Sequence, residues 1–474
     1  MKALAKDPKK DIVTLFQAQR EYQNIAKQST AGERINKLLK LKSTVLALKD
    51  EIIQAAYTDS NKPPFEMVAM EFAHFLDELD DACANLPEWM KRERITTSLN
   101  PNAKAEIMYE PRGVVLIMGP WNMPFLLTIS PMIAAVAAGN TAILKPSEFT
   151  PSVSTVIRKI INLTFNEQEI AVVEGGIDIS TELLKLPFDH IFLTGSPKVG
   201  KIVMEAAAKN LTSVTMELGG KSPVIIDNSG NLDKAAAGIM KAKTFNAGQL
   251  CLASDYVLLP AAMQESFIAK AKDYVQTAYY QKGKFNNGDY AQIINLENFN
   301  RLKHLFDDAV AKGAKVAMGG VFDLKNRRIQ PTILTDISSD MTIMAEEIFG
   351  PITPIINYNT KEEAIAYIRK FPKPLCFYVY SESPENIDYF LSNSTSGGVC
   401  INDLMQQTFE LRLPFGGVNN SGMGSYHGVY GFRELSNRRS VYYQSPQTPV
   451  DEFARPPYTD KANKLWEQLA KNSI

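Results

Sequence analysis

Val114-Val-Leu-Ile-Met118-Gly-Pro120 points to the class of architecture. Five consecutive apolar residues ending in Gly-Pro suit a parallel strand buried on both faces, followed by the loop at its carboxyl end. Downstream, residues 129–138 read as a helix stopped by Gly139-Asn140, and residues 141–144 as a second strand. A helix over 151–161, strands over 171–173 and 190–193, a helix over 198–209 and a strand over 213–216 follow. Strands alternating with helices predict right-handed crossovers and a doubly wound parallel sheet. From Leu218 to about Cys400 the texture repeats, with strands at 224–226, 256–259, 315–318, 331–334, 352–356 and 375–380. Helices are predicted at 232–244, 264–276, 296–312 and 361–369, so the chain is α/β with two doubly wound parallel-sheet domains.

Upstream of Val114, apolar spacing predicts helices over 11–26, 31–56 and 65–89. Residues 95–109 alternate in short polar segments that suit a strand pair or an excursion from the main body. After Val441 come prolines at 446, 449, 456 and 457 and a short final helix near Leu465, which read as a surface arm. No internal repeat or low-complexity tract occurs.

Composition narrows the function. The 474 residues carry 51 Lys and Arg against 52 Asp and Glu, a net charge of −1 that offers no electrostatic footprint for nucleic acid or an anionic membrane. The uncharged tract from Gly113 to Leu144 contains Pro120, Pro124 and Pro131, which would disrupt a spanning helix. Four cysteines without a CxxC fit a reducing compartment, and the expectation is a cytoplasmic chain with no structural metal. The four histidines read as too scattered for metal ligands; His190 opens a buried strand and His427 suits a subunit or substrate surface.

Three groups carry chemistry. Phe245-Asn-Ala-Gly-Gln-Leu-Cys251 places a thiol after a short loop that ends a helix. Such a thiol reads as a small buried hydrophobe or as a nucleophile. Met216-Glu217-Leu-Gly-Gly-Lys221 supplies a carboxylate followed by two glycines, and Pro120-Trp-Asn122-Met-Pro124 an amide between prolines. A thiol, a carboxylate and an amide are the parts needed to form and hydrolyse a thioester. No GxGxxG follows the first strand; Gly195-Ser196-Pro-Lys-Val-Gly200 opens a helix instead, where N–H groups can hold a pyrophosphate.

Together with Glu110-Pro-Arg-Gly-Val-Val, Ala138-Gly-Asn-Thr-Ala-Ile-Leu-Lys-Pro-Ser-Glu148, Glu346-Glu-Ile-Phe-Gly-Pro351 and Leu413-Pro-Phe-Gly-Gly-Val-Asn-Asn-Ser-Gly-Met-Gly424, these blocks resemble the aldehyde dehydrogenase superfamily. The resemblance covers about Glu110 to Tyr442, and the 419–428 block is similar to the dimeric branch acting on fatty and aromatic aldehydes. It implies NAD(P)-dependent oxidation of an aldehyde to a carboxylic acid, with Cys251 as an ionised nucleophile, Asn122 as oxyanion donor and Glu217 as general base. Lys145 and Glu148 would take the adenosine ribose, Gly195 and Ser196 the pyrophosphate, and Glu347 the nicotinamide ribose. Gly219 would permit close approach, and Phe349 would pack near the nicotinamide ring. A glutamate at 148 favours NAD, with NADP also used in this branch. The implied layout is a dinucleotide-binding domain (1–93 and 112–217), a catalytic domain (218–408), a bridging β segment for oligomerisation (94–111 and 409–445) and a C-terminal arm (446–474). A homodimer is implied, and a substrate pocket near Met123, Phe125, 245–251 and 403–415 for aliphatic or aromatic aldehydes. The competing readings are a coenzyme-A-acylating relative, which as a family rule lacks the carboxylate at Glu217, and a non-catalytic binding member, which tends to lack the thiol at Cys251.

Overall fold

The computed structural model describes residues 8–97, 102–445, 456–458 and 460–471. Part of the predicted C-terminal arm, residues 446–455, lies outside them. By compactness the chain divides into a large unit, Met1–Met90 with Glu110–Asn437, and a small one, Lys91–Tyr109 with Arg438–Ile474.

The large unit contains both predicted sheets. In the first, β3 (Val114–Met118) lies between β4 (Thr141–Lys145) and β6 (His190–Gly195), with β5 (Ile170–Val172) beyond β4 and β7 (Ser213–Leu218) beyond β6. These five run parallel. Every residue of β3 and β4 is buried, which is why they read as unbroken apolar runs. The second sheet has the order β12-β15-β16-β9-β8-β17-β18, formed by Lys315–Met318, Thr332–Thr335, Ile352–Tyr358, Tyr256–Pro260, Pro223–Ile226, Cys376–Tyr380 and Gly398–Ile401. Two small hairpins, β10 with β11 (Tyr280–Gln281, Lys284–Phe285) and β13 with β14 (Phe322–Asp323, Arg328–Ile329), lie outside it.

Each sheet departs from uniform parallel pairing at one edge. Strand β12 runs antiparallel to β15, and β19 (Gly422–Met423) antiparallel to β7. Besides the two small hairpins and β19, several short elements escaped the sequence reading, among them the helix Ile177–Leu183, which buries only Ile179 and Leu183, the helix Gly428–Glu434 and strand β18; the ten-residue helix Pro384–Asn393 escaped it too, because it buries only Phe390. The predicted helix over 31–56 is two helices, Ala31–Ala47 and Lys49–Ser60, joined at Leu48, which leaves helical geometry at φ −104° and ψ 11°. In the small unit, β1 (Glu93–Ile95), β2 (Lys104–Pro111) and β20 (Ser436–Tyr443) form a three-stranded sheet, and Lys461–Lys471 is helical. Among the described residues no helix is long and apolar enough to cross a membrane.

One buried ion pair orients the entry to the site. The helix Leu126–Ala138 has no side-chain cap of its own at its start. Glu71, from the π-helical turn Met67–Phe72, accepts instead from the N–H groups of Phe125 and Leu126 at 3.0 and 3.1 Å. Lys62 pairs with the same carboxylate, and both side chains are almost wholly enclosed. Glu71→Gln leaves the lysine buried without its counter-charge, and denaturant unfolding is expected to show a loss of about 3–5 kcal/mol. A change within experimental error would show that the pair does not hold this helix.

Candidate active site

The winding of the first sheet reverses beside β3: β4 and β5 extend to one side, β6 and β7 to the other. A crevice opens at the carboxyl ends of the strands where such a reversal occurs. The register aligns Met118 with Lys145 and Leu193, and Thr194 with Glu217. Lys145, Gly195 and Glu217 therefore sit near the same end of adjacent strands.

Asn122 follows β3 and is buried. Its backbone carbonyl accepts from Lys62 Nζ at 2.8 Å and Asn246 Nδ2 at 3.0 Å, and its own Nδ2 donates to the Gln249 carbonyl at 3.1 Å. An Asn amide carries two hydrogens, so one bond aims the group and the second hydrogen is left to donate. Asn246 and Gln249 belong to the loop ahead of Cys251, so the amide and thiol segments are tied together.

That loop is tightly bent. Asn246 and Ala247 have φ of 48° and 51°, and Gly248 has 70°. A residue such as Ala247 in this region costs on the order of 1–2 kcal/mol. A Cβ on Gly248 would stand 2.6 Å from the Gly350 carbonyl oxygen, so only glycine fits there. The bend is held by Glu66 accepting the Asn246 N–H at 2.8 Å and by Gln249, which donates to Asn246 O and Gln292 O and accepts from Ile294 N.

Beyond the bend, Cys251 and Glu217 line one cavity, walled by Met123, Leu250, Phe409, Phe415 and Tyr426 among others. Phe125, expected in this wall, is instead fully buried in the core between Phe72 and Phe75, at 5.4 Å from each ring. Neither carboxyl oxygen of Glu217 meets a hydrogen-bond partner among the described residues. Burial, with Glu434 nearby, raises its pKa well above the carboxylate range. The thiol of Cys251 is likewise pushed up, first by burial and then by Cys376, Glu347 and Glu217. Burial in the apolar wall thus disfavours the resting thiolate that the resemblance implied.

The remaining predicted groups form pairs. Lys145 meets Glu148 at 2.6 Å where β4 ends. A Cβ on Gly219 would fall 1.9 Å from Glu347 Oε2, so the carboxylate lies directly against bare backbone. Burial first, and Asp255 next, push Glu347 up to about 8, against the opposing pull of the Gly220 N–H and Lys221. Phe349, at φ 50°, meets Trp121 edge-on at 5.3 Å. Arg301 clamps this segment by donating to the Glu347 and Ile348 carbonyls at 3.1 and 2.7 Å and pairing with Glu346 at 3.0 Å. Ser196 caps the helix Pro197–Ala208, its hydroxyl accepting from Val199 N at 3.4 Å. A helix N-terminus, an acidic residue seated on a glycine and a Lys–Glu pair at three neighbouring strand ends suit a dinucleotide.

A family model described as "Aldehyde dehydrogenase family" matches residues 2–441. The chain belongs to the aldehyde dehydrogenase family. It is 46% identical over 440 residues to "Putative aldehyde dehydrogenase AldX" of Bacillus subtilis, covering 93% of this chain and 99% of that one. It is 42% identical to "Aldehyde dehydrogenase, dimeric NADP-preferring" of Rattus norvegicus, covering 90% and 93%. The solved structure described as "Substrate bound state of Staphylococcus Aureus AldH" superposes with a TM-score of 0.91 at 39% identity, covering 97% and 99%. The protein is an NAD(P)-dependent aldehyde dehydrogenase that oxidises aldehydes to acids.

Sequence reading of this aldehyde dehydrogenase missed part of its cavity wall. Met70 and His74 come from the N-terminal helices, and His74 lies beside His427, with ring centroids 4.9 Å apart. The histidines are therefore not all scattered: His74, Glu78 and His427 bring ligand-type atoms within 4.8 Å of one another. The only sequence signal was His74 and Glu78 at i and i+4 on one helix face. Glu78 bonds both rings directly, which accounts for the cluster without an ion.

With the thiol pKa raised, iodoacetamide labelling of Cys251 in the cofactor-free enzyme is expected to quicken about tenfold per pH unit from 7 to 9, followed by mass spectrometry of the labelled peptide. A rate that levels off near neutrality would show that the thiol is already ionised.

Proposed function

We propose that Cys251, Glu217 and Asn122 form the catalytic set of this dehydrogenase. The observation that carries the reading is that the thiol and the carboxyl line a single cavity while the Asn122 segment is bonded to the Cys251 loop. The thiol sulfur adds to the aldehyde carbon, and its proton passes to water. The free hydrogen of Asn122 Nδ2 steadies the resulting oxyanion, an interaction worth about 3 kcal/mol where such donors have been removed. NAD(P), when bound, supplies the acceptor for the hydride that the substrate carbon gives up. The thioester left on Cys251 is opened by water, with Glu217 taking the water proton and the acid released.

Lys145, Glu148, Gly195, Ser196, Gly219, Glu347 and Phe349 would hold the dinucleotide, the first two at its adenosine ribose and Glu347 at the nicotinamide ribose. The domain layout outlined from the sequence is proposed with it. The cavity wall favours aliphatic and aromatic aldehydes over small charged ones. A homodimer is proposed from the likeness to the dimeric rat enzyme, and light scattering giving the mass of one chain would refute it. Four free cysteines support residence in the cytoplasm, which cell fractionation tests.

Cys251→Ala is expected to lower turnover at least about 10³-fold while the cofactor still binds. Glu217→Gln should give one burst of reduced cofactor and then stall, lowering steady-state turnover by about 10²–10⁴. Normal steady-state turnover by that variant would remove Glu217 from the base role. The sign of the pH dependence follows from the raised pKa: a carboxyl protonated when buried becomes a base only as pH climbs through its folded value. Acyl-enzyme hydrolysis should therefore accelerate with rising pH, and the ratio of burst rate to steady-state rate should fall.

A further inference from the structure

We propose that His74 and His427 form a subsite for a hydroxyl group on the body of the aldehyde, so that the enzyme prefers hydroxyl-bearing apolar aldehydes. The inference rests on the reading of Cys251 and Glu217 as the reacting end of the same cavity. Both imidazole rings line that cavity and are almost wholly buried. Glu78, behind them, receives three groups: His74 Nε2 lies 3.3 Å from Oε1, His427 Nδ1 bonds the same oxygen, and the Ser130 hydroxyl donates to Oε2.

An ionised carboxylate only accepts, so each ring nitrogen facing Glu78 carries the hydrogen. That fixes both tautomers. The opposite nitrogens, His74 Nδ1 and His427 Nε2, meet no hydrogen-bond partner among the described residues. On a neutral ring each is a bare acceptor, and burial lowers the pKa of His427, favouring that neutral form. Two buried acceptors without donors are costly in an apolar wall and are satisfied by a ligand O–H. The remaining surface, with Leu126, Phe409 and Phe415, takes the hydrocarbon. A site built around a hydroxyl rejects the analogue that lacks it, whereas a purely apolar pocket separates the two weakly.

The test compares 3- and 4-(hydroxymethyl)benzaldehyde with 3- and 4-ethylbenzaldehyde, pairs matched in size and similar in the electronics of the aldehyde. For the wild-type enzyme with NAD or NADP, at least one hydroxymethyl compound is expected to exceed its ethyl partner in kcat/KM by at least about tenfold, chiefly through KM. In His74→Phe or His427→Phe the ratio should fall towards one. The wild-type ratio is decisive even if a variant fails to fold. Turnover of the ethyl compounds with no hydroxyl preference in either pair overturns the subsite and leaves the catalytic reading standing. A preference that survives unchanged in both folded variants also overturns it. No turnover of any of the four overturns both.

Discussion

The backbone carbonyl of Asn122 is where the separate parts of the site meet. A lysine from the N-terminal helical region and an asparagine from the Cys251 loop both donate to it, at 2.8 and 3.0 Å. The same lysine pairs with the carboxylate that orients the helix following Asn122. Three segments separated by roughly 60 and 124 positions thus share one buried oxygen and the charge behind it. An acceptor in such surroundings costs free energy if left unpaired, so any displacement of one segment is opposed by the other two. This is how a bent loop with two non-glycine residues at positive φ stays in place, and how the segment that carries the thiol is tied to that of Asn122.

Electrostatics then set the resting state. The cavity carries two groups that become anions, Cys251 and Glu217, beside the imidazoles of His74 and His427 and the phenol of Tyr426, and burial raises the pKa of both. Neither Glu217 oxygen has a hydrogen-bond partner among the described residues to stabilise charge, and a charged Glu217 disfavours ionisation of Cys251. A neutral thiol beside a neutral acid is the state of least cost in such a wall.

Much of this was legible in the sequence, for identifiable reasons. Strands β3 and β4 are buried along their whole length, so their apolar runs were unambiguous, and the helix between them ended at Gly139–Asn140 as read. Elements of seven residues or fewer, such as Ile177–Leu183 and Gly398–Ile401, left too little periodicity to register. Of the site, the chemically distinctive residues were visible because each stands among glycines and prolines that constrain the backbone. The protonation state was not, because it depends on burial and on neighbours such as Glu347 and Cys376 that lie about 100 positions away along the chain. The cavity wall was the least legible part. His74 and His427 lie on elements that look unrelated in sequence, and Glu78 and His427 are 349 positions apart. Phe125, by contrast, was read into the wall from proximity alone, and the neighbouring aromatics drew it into the core.

The connection between the two sheets shows how the groups lining the cavity come from both. Glu217 lies near the end of β7 in the first sheet, and β8 of the second begins at Pro223. The turn between them carries Gly219, against which Glu347 packs from the loop ahead of β16. Cys251 arrives from the connection between β8 and β9. The first sheet therefore contributes the carboxyl and the crevice at its winding reversal, while the second contributes the thiol and the carboxylate seated on the glycine. A Cβ at 219 would strike the Glu347 carboxylate at the junction of those contributions. The shortness of the turn and the bareness of that glycine are one requirement: they let groups from both sheets close around the same small volume.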